Sequence, residues 1–162
     1  HRRVLGNPPE PLRELQRKLG IACTSSNDLA SGSVIYHTCA TREEQREVVD
    51  QHVAALVEAG HAPDEIVILT VHGVHHSTFS EAGSVGGYPL RRFTGEYTDT
   101  GRQVYTAGRV LFDSVYRFKG QQAPAVILAD IDFADWRAER EVRVLYAGMT
   151  RARVHLELVC LR

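Results

Sequence analysis

The spacing of apolar and polar residues predicts strands that alternate with helices. Ser33–Cys39 alternates weakly and is rich in β-branched residues, which predicts a strand. Behind the capping-box sequence at 41–44, apolar residues recur at helical spacing as far as Gly60, which predicts an amphipathic helix. Residues 64–70 have a four-residue apolar core, typical of a strand buried on both faces. Together these segments predict a parallel strand–helix–strand crossover.

The second half of the chain continues the alternation. Residues 110–116 and 124–129 predict two strands, and 154–161 predict a final one. Residues 137–150 predict a helix with one apolar face, made of Val142, Leu145, Tyr146 and Met149. We therefore expect an α/β domain of three layers, with a mainly parallel sheet flanked by helices.

Two regions carry a weaker pattern. Residues 1–32 predict an entry segment with a short helix from Pro11 to about Gly20 and a polar loop over 24–32, so the domain proper spans 33–162. For residues 71–108 we expect loops, a short helix after Ser77 and a hairpin near 97–105.

Composition adds that the chain forms a single globular domain, with 162 residues of which 43% are hydrophobic. Met149 is its one methionine, which predicts either a processed chain or a domain excised from a larger protein, and we expect the latter. No apolar run of membrane-spanning length occurs. An odd number of distant cysteines fits a reducing cytosol, so we expect a cytoplasmic protein without a membrane partner; the cysteines are Cys23, Cys39 and Cys160.

Charge is nearly balanced. The formal net charge of −1 argues against a globally basic clamp for nucleic acid, so any DNA contact has to be local. The two lysines are Lys18 and Lys119, and the other basic residues are all arginines.

The end of the predicted 137–150 helix carries the first candidate site. Arg151 projects there with an always-charged, fork-shaped donor, which either complements the helix dipole or reaches a ligand. Gly148 costs helix stability, so we expect something to approach closely at that position. Residues 146–153, Tyr-Ala-Gly-Met-Thr-Arg-Ala-Arg, resemble motif VI of the superfamily 1 DNA helicases of the UvrD/PcrA/Rep type. The resemblance implies that Arg151 contacts the γ-phosphate of ATP, beside Gly148.

A second segment resembles motif V of the same helicases. Residues 114–122 read Ser-Val-Tyr-Arg-Phe-Lys-Gly-Gln-Gln and precede an apolar strand. The alternative is a basic surface loop between strands. The resemblance implies that Lys119 and Gly120 approach the nucleotide phosphates and that Gln122 replaces a ribose-binding glutamate. It also implies single-stranded DNA contacts by the residues nearest the preceding strand, Ser114, Tyr116 and Arg117.

The resemblance implies the second RecA-like domain of an ATP-dependent DNA helicase. No Gly-x-x-x-x-Gly-Lys-Ser/Thr loop occurs in the chain, so ATP and Mg²⁺ are expected on an N-terminal RecA-like domain of the same protein. We expect the chain alone to lack ATP hydrolysis. Two alternatives stay open: a degenerate RecA-like module that binds DNA or protein, and part of a helicase–nuclease subunit.

Three further features of the sequence concern possible phosphate and metal ligands. The arginine that the family often places after the strand at 64–70 is absent, since Val71 stands there, and either Arg91 or Arg92 replaces it or the chain lacks it. No metal site is expected, because loop histidines are commonly solvated; they are His72, His75 and His76. Asp130 and Asp132 are expected to be a polar strand exit rather than ligands of Mg²⁺.

Overall fold

The computed structural model describes residues 33–161, the strand Ala22–Thr24, and Glu10, Arg13, Glu14 and Arg17. Glu10, Arg13, Glu14 and Arg17 are helical. The last three of them lie within the predicted entry helix, whereas Glu10 precedes its predicted start. The other positions of the entry helix and of the polar loop at 24–32 lie outside the described residues, except that Thr24 belongs to a strand rather than to a loop.

One large sheet forms the middle of the domain. The strands of the described part of the chain are β1 (Ala22–Thr24), β2 (Ser33–Cys39), β3 (Ile66–Thr70), β4 (Ser84–Val85), β5 (Tyr88–Arg91), β6 (Phe93–Tyr97), β7 (Gln103–Tyr105), β8 (Val110–Ser114), β9 (Ala123–Ile131) and β10 (Ala152–Leu161). Eight of them form a sheet in the order β1-β2-β10-β9-β3-β8-β5-β4, while β6 and β7 form a separate hairpin. Pairing in the large sheet is parallel except between β4 and β5. The mainly parallel sheet was therefore predicted correctly.

Over residues 33–161, two helices cover the sheet, α1 (Arg42–Glu58) and α2 (Glu139–Met149). The predicted cap of α1 is confirmed, because the Glu44 amide donates to the Thr41 hydroxyl at 3.0 Å. The Glu44 carboxylate accepts from the amide of Ala40, one residue earlier than the usual capping box. Gly60 follows the helix in the left-handed region at φ +114°, which allows the chain to turn toward β3. A 3-10 turn, Pro63–Glu65, precedes that strand.

Each face of the sheet packs against one of these helices. Every residue of β3 is buried, as its apolar sequence predicted. Ile66 and Ile68 belong to the core cluster on the α1 side, and Val67 and Leu69 belong to the cluster on the α2 side. This alternation places α1 and α2 on opposite faces and gives the three-layer α/β architecture. None of the helices in the described residues is long and apolar enough to cross a membrane.

The connection from β2 to β3 is a parallel crossover, but the two strands are not neighbours in the sheet. Strands β10 and β9 lie between the two, so the chain returns to the middle of the sheet after α2. Cys39 and Cys160 are buried in the packed layers, as expected of small apolar side chains.

The region 71–108 matches its prediction only in part. The predicted hairpin is present as β6 and β7. The prediction of a short helix after Ser77 is wrong. The structure has a 3-10 turn instead, Val74–His76, which ends just before Ser77. Ser77 and Thr78 instead donate hydrogen bonds to the Asp130 carboxylate at 2.6 and 3.2 Å, which holds the chain out of a helical path. The next strand, β8, ends at Ser114 rather than at 116, since the Ser114 hydroxyl accepts from the Arg117 amide and closes a turn.

The buried face of α2 also differs from its prediction. Its buried residues are Val144, Leu145, Gly148 and Met149. Tyr146, which was assigned to the core, is 47% exposed, and Val142 is half-buried. The reason is that the helix contacts the sheet through Gly148, which turns Tyr146 away from the core.

Candidate functional site

The two segments that resemble motifs V and VI lie side by side. A guanidinium nitrogen of Arg151 donates to the Gln121 carbonyl at 3.2 Å, and the Arg151 carbonyl accepts from the Ala123 amide at 2.9 Å. The Gln122 side chain donates to the Thr150 carbonyl at 3.2 Å. Three hydrogen bonds therefore join the end of α2 to the turn that leads into β9.

A pocket of about 580 Å³ opens between these segments. Four cations line it, Lys119 from the first segment and Arg140, Arg143 and Arg151 from α2 and its end. Arg143 is paired with the Glu139 carboxylate at 2.6 Å, so its charge is already matched within the helix. The rest of the lining contains no carboxylate; it consists of Val115, Tyr116, Val144, Tyr146, Ala147 and Thr150. A concave, partly apolar pocket with positive charges and no acid suits an anionic ligand of nucleotide size.

Arg151 is held in place by its own domain. Besides the bond to Gln121, its Nε donates to the Ala147 carbonyl at 3.1 Å and a terminal nitrogen donates to the Thr150 hydroxyl at 3.1 Å. A guanidinium has about five N–H donors, so these three bonds leave roughly two of them for a ligand. The side chain is thus oriented by the protein and still able to bind.

The close approach expected at Gly148 is confirmed, but the neighbour is protein. A Cβ atom at this position would lie 2.8 and 2.9 Å from the two methyl groups of Leu128 and 3.3 Å from Val115. Gly148 is buried against β9, and it does not line the cationic pocket. Its absence of a side chain lets α2 pack close to the sheet, which positions Arg151 one turn later.

The other residues assigned to the nucleotide lie at the amino-terminal end of β9. Gly120 is exposed and has φ +81°, so a left-handed turn follows Lys119. Gln122 lines a different pocket of about 390 Å³, together with residues such as Asp64 and Arg109. The structure therefore brings Lys119 and Arg151 together at one pocket and places Gln122 outside it.

The residues assigned to DNA follow β8. Tyr116 is 58% exposed and Arg117 is exposed, whereas Ser114 is buried and its hydroxyl accepts from the Arg117 amide. Arg117 Nε lies 3.4 Å from the buried Asp113 carboxylate. Burial raises the pKa of Asp113, while the Ser114 amide and the Arg117 guanidinium favour its charged form. Tyr116 and Arg117 are thus the side chains of this group that face outward.

Neither candidate for the missing arginine after β3 reaches the cationic pocket. Arg92 donates to the carbonyls of Phe79, Ser80 and Ala82 at 2.7 to 2.8 Å and so fixes the loop 79–82. Burial lowers the pKa of its guanidinium. Arg91 lies over the ring of Tyr105 at 4.2 Å and does not line that pocket.

Asp130 has the structural role expected of a strand exit. Its carboxylate accepts from the Gln45 amide, the Thr70 hydroxyl, the Ser77 hydroxyl and the Thr78 backbone amide. These four donors occupy the lone pairs of the carboxylate, of which there are about four, so Asp130 is not suited to bind Mg²⁺. It has φ +64°, a conformation that aspartate tolerates better than most residues. Asp132 lies 2.7 Å from His72 Nε2.

A second buried polar group surrounds Glu157. His37 Nε2 and His52 Nδ1 lie 2.8 and 2.9 Å from one carboxylate oxygen, and His155 Nε2 lies 2.8 Å from the other. The ligand-type atoms of His37, His52 and Glu157 lie within 4.8 Å of one another, which makes them the one set with metal-ligand spacing among the described residues. Their distances from the carboxylate are those of hydrogen bonds, and the group ties α1 to β2 and β10.

Sequence reasoning missed Arg140, Arg143 and the outward position of Tyr146. The signal was available, because residues 140, 143, 147 and 151 recur at helical spacing and share one side of α2 and its end. The apolar pattern obscured this spacing, because it predicts that Tyr146 lies in the core and that the arginines lie on a solvent-exposed helix face.

Comparison with known proteins identifies one family model and a similar solved structure. Residues 109–159 match the family model described as UvrD-like helicase C-terminal domain. The matched region begins just before β8 and ends within β10, so it contains both motif segments.

Among solved structures, the chain is similar to the C-terminal domain of a possible DNA helicase from Lactobacillus plantarum WCFS1. The TM-score is 0.60 at 16% identity, and the similarity covers 96% of this chain and 86% of that one, which shows a shared fold. No curated protein matches the chain in sequence. The resemblance to UvrD-like helicases is thereby confirmed as a sequence match over residues 109–159, and the chain shares its fold with the C-terminal domain of that possible DNA helicase.

Proposed function

We propose that the chain is the C-terminal motor domain of an ATP-dependent DNA helicase and supplies half of an ATP site. The observation that carries this proposal is the convergence of Lys119 and Arg151 on one acid-free pocket. The two cations come from the two segments whose sequences resemble helicase motifs. A triphosphate is the anionic ligand that both the positive charge and the volume of the pocket favour.

Arg151 acts in this proposal as an arginine finger. Its remaining guanidinium donors stabilise the charge that develops on the γ-phosphate during transfer, an effect worth about 10³–10⁵ in rate in enzymes of this kind. Bonds to Gln121, Ala147 and Thr150 hold the group beforehand, which lowers the cost of ordering it when the site closes. Lys119 adds a point charge across the pocket, toward the same phosphates.

The ATP and its Mg²⁺ bind mainly to another domain in this account. The chain lacks a phosphate loop, and the carboxylate of Asp130 is saturated by donors of its own domain. An N-terminal RecA-like domain of the same protein therefore supplies the phosphate loop and the metal ligands. Closure of the two domains brings Arg151 onto the nucleotide.

Single-stranded DNA binds at the other end of the same segment. Because β8 and β9 both run parallel to β3, residues 115–122 pass from the carboxyl edge of the sheet to its amino edge. Arg117 stands near the first edge, and Gln121 contacts Arg151 near the second. Tyr116, which we also assign to DNA, lines the cationic pocket together with Arg151. A movement of this segment on ATP binding is thus passed directly to residues that we assign to DNA.

The proposal is tested by ATP turnover in the intact protein. We expect Arg151→Ala to lower DNA-stimulated kcat by about 10³-fold or more, with nucleotide affinity and melting temperature nearly unchanged. Arg153→Ala is the matched control, since Arg153 is exposed two residues further on and does not line the pocket. Equal effects of the two substitutions, or collapse of the melting temperature in Arg151→Ala alone, would refute the arginine-finger role.

A degenerate module that binds DNA or protein is the second candidate. The position of Gln122 outside the pocket and the engagement of Arg92 with the loop 79–82 favour it. An intact protein that binds single-stranded DNA but shows no ATP turnover in its wild-type form identifies this second function. A helicase–nuclease subunit is a variant of the motor and differs by nuclease activity of the intact protein.

A further inference from the structure

The hairpin of β6 and β7 stands apart from the main sheet. Its strands pair only with each other among the described residues, and the chain reverses at a turn in which Gly101 has φ +85°. Four of the five residues of β6 are exposed. A lone hairpin is only marginally stable in water, so its side-chain contacts decide where it lies.

A row of three aromatic rings with an arginine at each end of the Phe93–Tyr105 pair attaches the hairpin to the domain. The Arg117 guanidinium lies over the Phe93 ring at 4.2 Å, and the Arg91 guanidinium lies over the Tyr105 ring at 4.2 Å. Phe93 and Tyr105 are cross-strand partners with ring centroids 6.0 Å apart, and Tyr97 packs edge-on against Phe93 at 5.4 Å. The row is continuous from the turn after β8 to the far strand of the hairpin.

One ring of this row is exposed to solvent. Tyr97 is 59% exposed, although Phe93 and Tyr105 are half-buried beneath the arginines. Tyr116, next to Arg117 in the chain, is 58% exposed. Two open tyrosine rings therefore flank the part of the row that Arg117 anchors.

This combination of groups matches a known way of binding single strands. Proteins that bind single-stranded nucleic acid without sequence preference combine cations for the phosphates with aromatic rings on which bases stack. Arginine serves both purposes, since it stacks on rings while keeping N–H donors for phosphate. The hairpin and its anchors contain three cations, Arg91, Arg102 and Arg117. They also contain three acids, Glu96, Asp99 and Asp113, of which Asp113 pairs with Arg117 at 3.4 Å.

We propose that the hairpin Phe93–Tyr105 is an additional binding surface for single-stranded DNA, on which Tyr97 stacks a base beside the phosphate-binding Arg117. The strand that meets Tyr116 and Arg117 continues onto the hairpin. The inference rests on the proposed function in one respect, because it takes the turn after β8 as the start of the DNA path. Recognition of this kind tolerates any base sequence and weakens as salt rises.

The test is binding of a fluorescent oligothymidine to the intact protein at fixed low salt, without nucleotide. Removal of one stacking ring weakens single-strand affinity by about 5- to 150-fold, so we expect a Kd increase in that range for Tyr97→Ala. Tyr97→Phe keeps the ring and is the matched control, with an expected Kd within about twofold of wild type. Melting temperature and DNA-independent ATP turnover are expected to stay unchanged in both variants.

A photocrosslink makes the contact direct. An oligothymidine that carries 5-bromodeoxyuridine is irradiated with the protein, and the modified peptide is identified by mass spectrometry. We expect modification at Tyr97, and its loss in Tyr97→Ala identifies that ring as the acceptor.

The outcomes separate this inference from the proposed function. Wild-type affinity in Tyr97→Ala, combined with weakened binding in Arg117→Ala, overturns the hairpin surface and leaves the DNA site after β8 intact. Failure of the wild-type protein to bind oligothymidine at all overturns both. Equal weakening by Tyr97→Ala and Tyr97→Phe shows that the hydroxyl rather than the stacked ring matters, and it also overturns the inference.

Discussion

Arg151 shows how much the surroundings of one side chain decide. Arg153 lies two residues away with the same chemistry, yet it is exposed and makes no contact with the cationic pocket. Arg151 is fixed by three carbonyl or hydroxyl oxygens and keeps its remaining donors for a ligand. A fork-shaped donor suits this arrangement, because three separate guanidinium N–H groups reach three protein oxygens in fixed directions.

The same argument gives a prediction for the conservative substitution. Arg151→Lys keeps the positive charge but loses the fork that binds Gln121 and Thr150, so its ammonium is poorly positioned. We expect DNA-stimulated kcat of Arg151→Lys to lie closer to that of Arg151→Ala than to wild type. Full activity of the lysine variant in the same turnover assay would show that charge alone suffices.

Gly148 is the residue that sets the distance between α2 and the sheet. Alanine there gains about 1 kcal/mol of helix propensity, but its methyl group would lie 2.8 Å from buried Leu128. Overpacking of a core costs about 1–3 kcal/mol, so we expect Gly148→Ala to destabilise the domain by about 1 kcal/mol in urea unfolding.

Two matched variants check this account of Gly148. Gly83→Ala should be nearly neutral, because nothing lies within 4 Å of the added methyl group and its backbone needs no positive φ. Adding Leu128→Val to Gly148→Ala should recover part of the loss by removing the crowded methyl groups. A Gly148→Ala protein that is more stable than wild type contradicts the close packing of α2.

At the scale of secondary-structure elements, the Glu157 group joins α1 to the strands β2 and β10. His52 comes from the helix, His37 from one strand, and His155 and Glu157 from the other. Burial alone raises the pKa of Glu157, but hydrogen bonds from His155, His37 and His52 outweigh it and hold the pKa well below its ordinary value. The ionised carboxylate is therefore the form that the folded state favours.

The sign of this pKa shift predicts an acid-sensitive domain. A depressed pKa contributes stability that is complete above the unfolded-state pKa, about 4.3 for glutamate, and disappears as pH falls through the lower folded-state pKa. We expect Glu157→Gln to be less stable than wild type at neutral pH and to lose less stability on acidification below about pH 4.3. Urea unfolding of both proteins, from neutral pH to below about pH 4.3, measures this difference in stability. Parallel pH dependences in the two proteins would contradict the role of Glu157.

At the scale of the whole molecule, the sheet and its two covering layers followed from local patterns. Apolar runs such as that of β3 indicate burial on both faces, and the cap at Thr41 marks the start of α1 in the sequence itself. Strand order did not follow, because the insertion of β10 between β2 and β9 depends on contacts between distant segments. The helix predicted after Ser77 failed for the same reason, since Asp130 comes from a strand more than fifty residues later.

Some residues of the candidate site could likewise be predicted from the sequence, and others could not. Lys119 and Arg151 could be assigned from their short motifs, and the structure brings them to one pocket. Arg140 and Arg143 could not be separated from an ordinary solvated helix face until the packing of Gly148 fixed the rotation of α2. The Glu157 group was hidden because His37, His155 and Glu157 alternate with apolar residues in strands, where an inward polar residue gives no periodic signal, and their partner His52 lies in a distant helix.

The most direct test of the central claim is the structure of the intact protein with a non-hydrolysable ATP analogue. We expect a terminal nitrogen of Arg151 to lie within hydrogen-bond distance, about 2.7–3.2 Å, of a γ-phosphate oxygen held by the other RecA-like domain. A guanidinium that stays bound only to Gln121, Ala147 and Thr150, with the γ-phosphate out of its reach, would contradict the account.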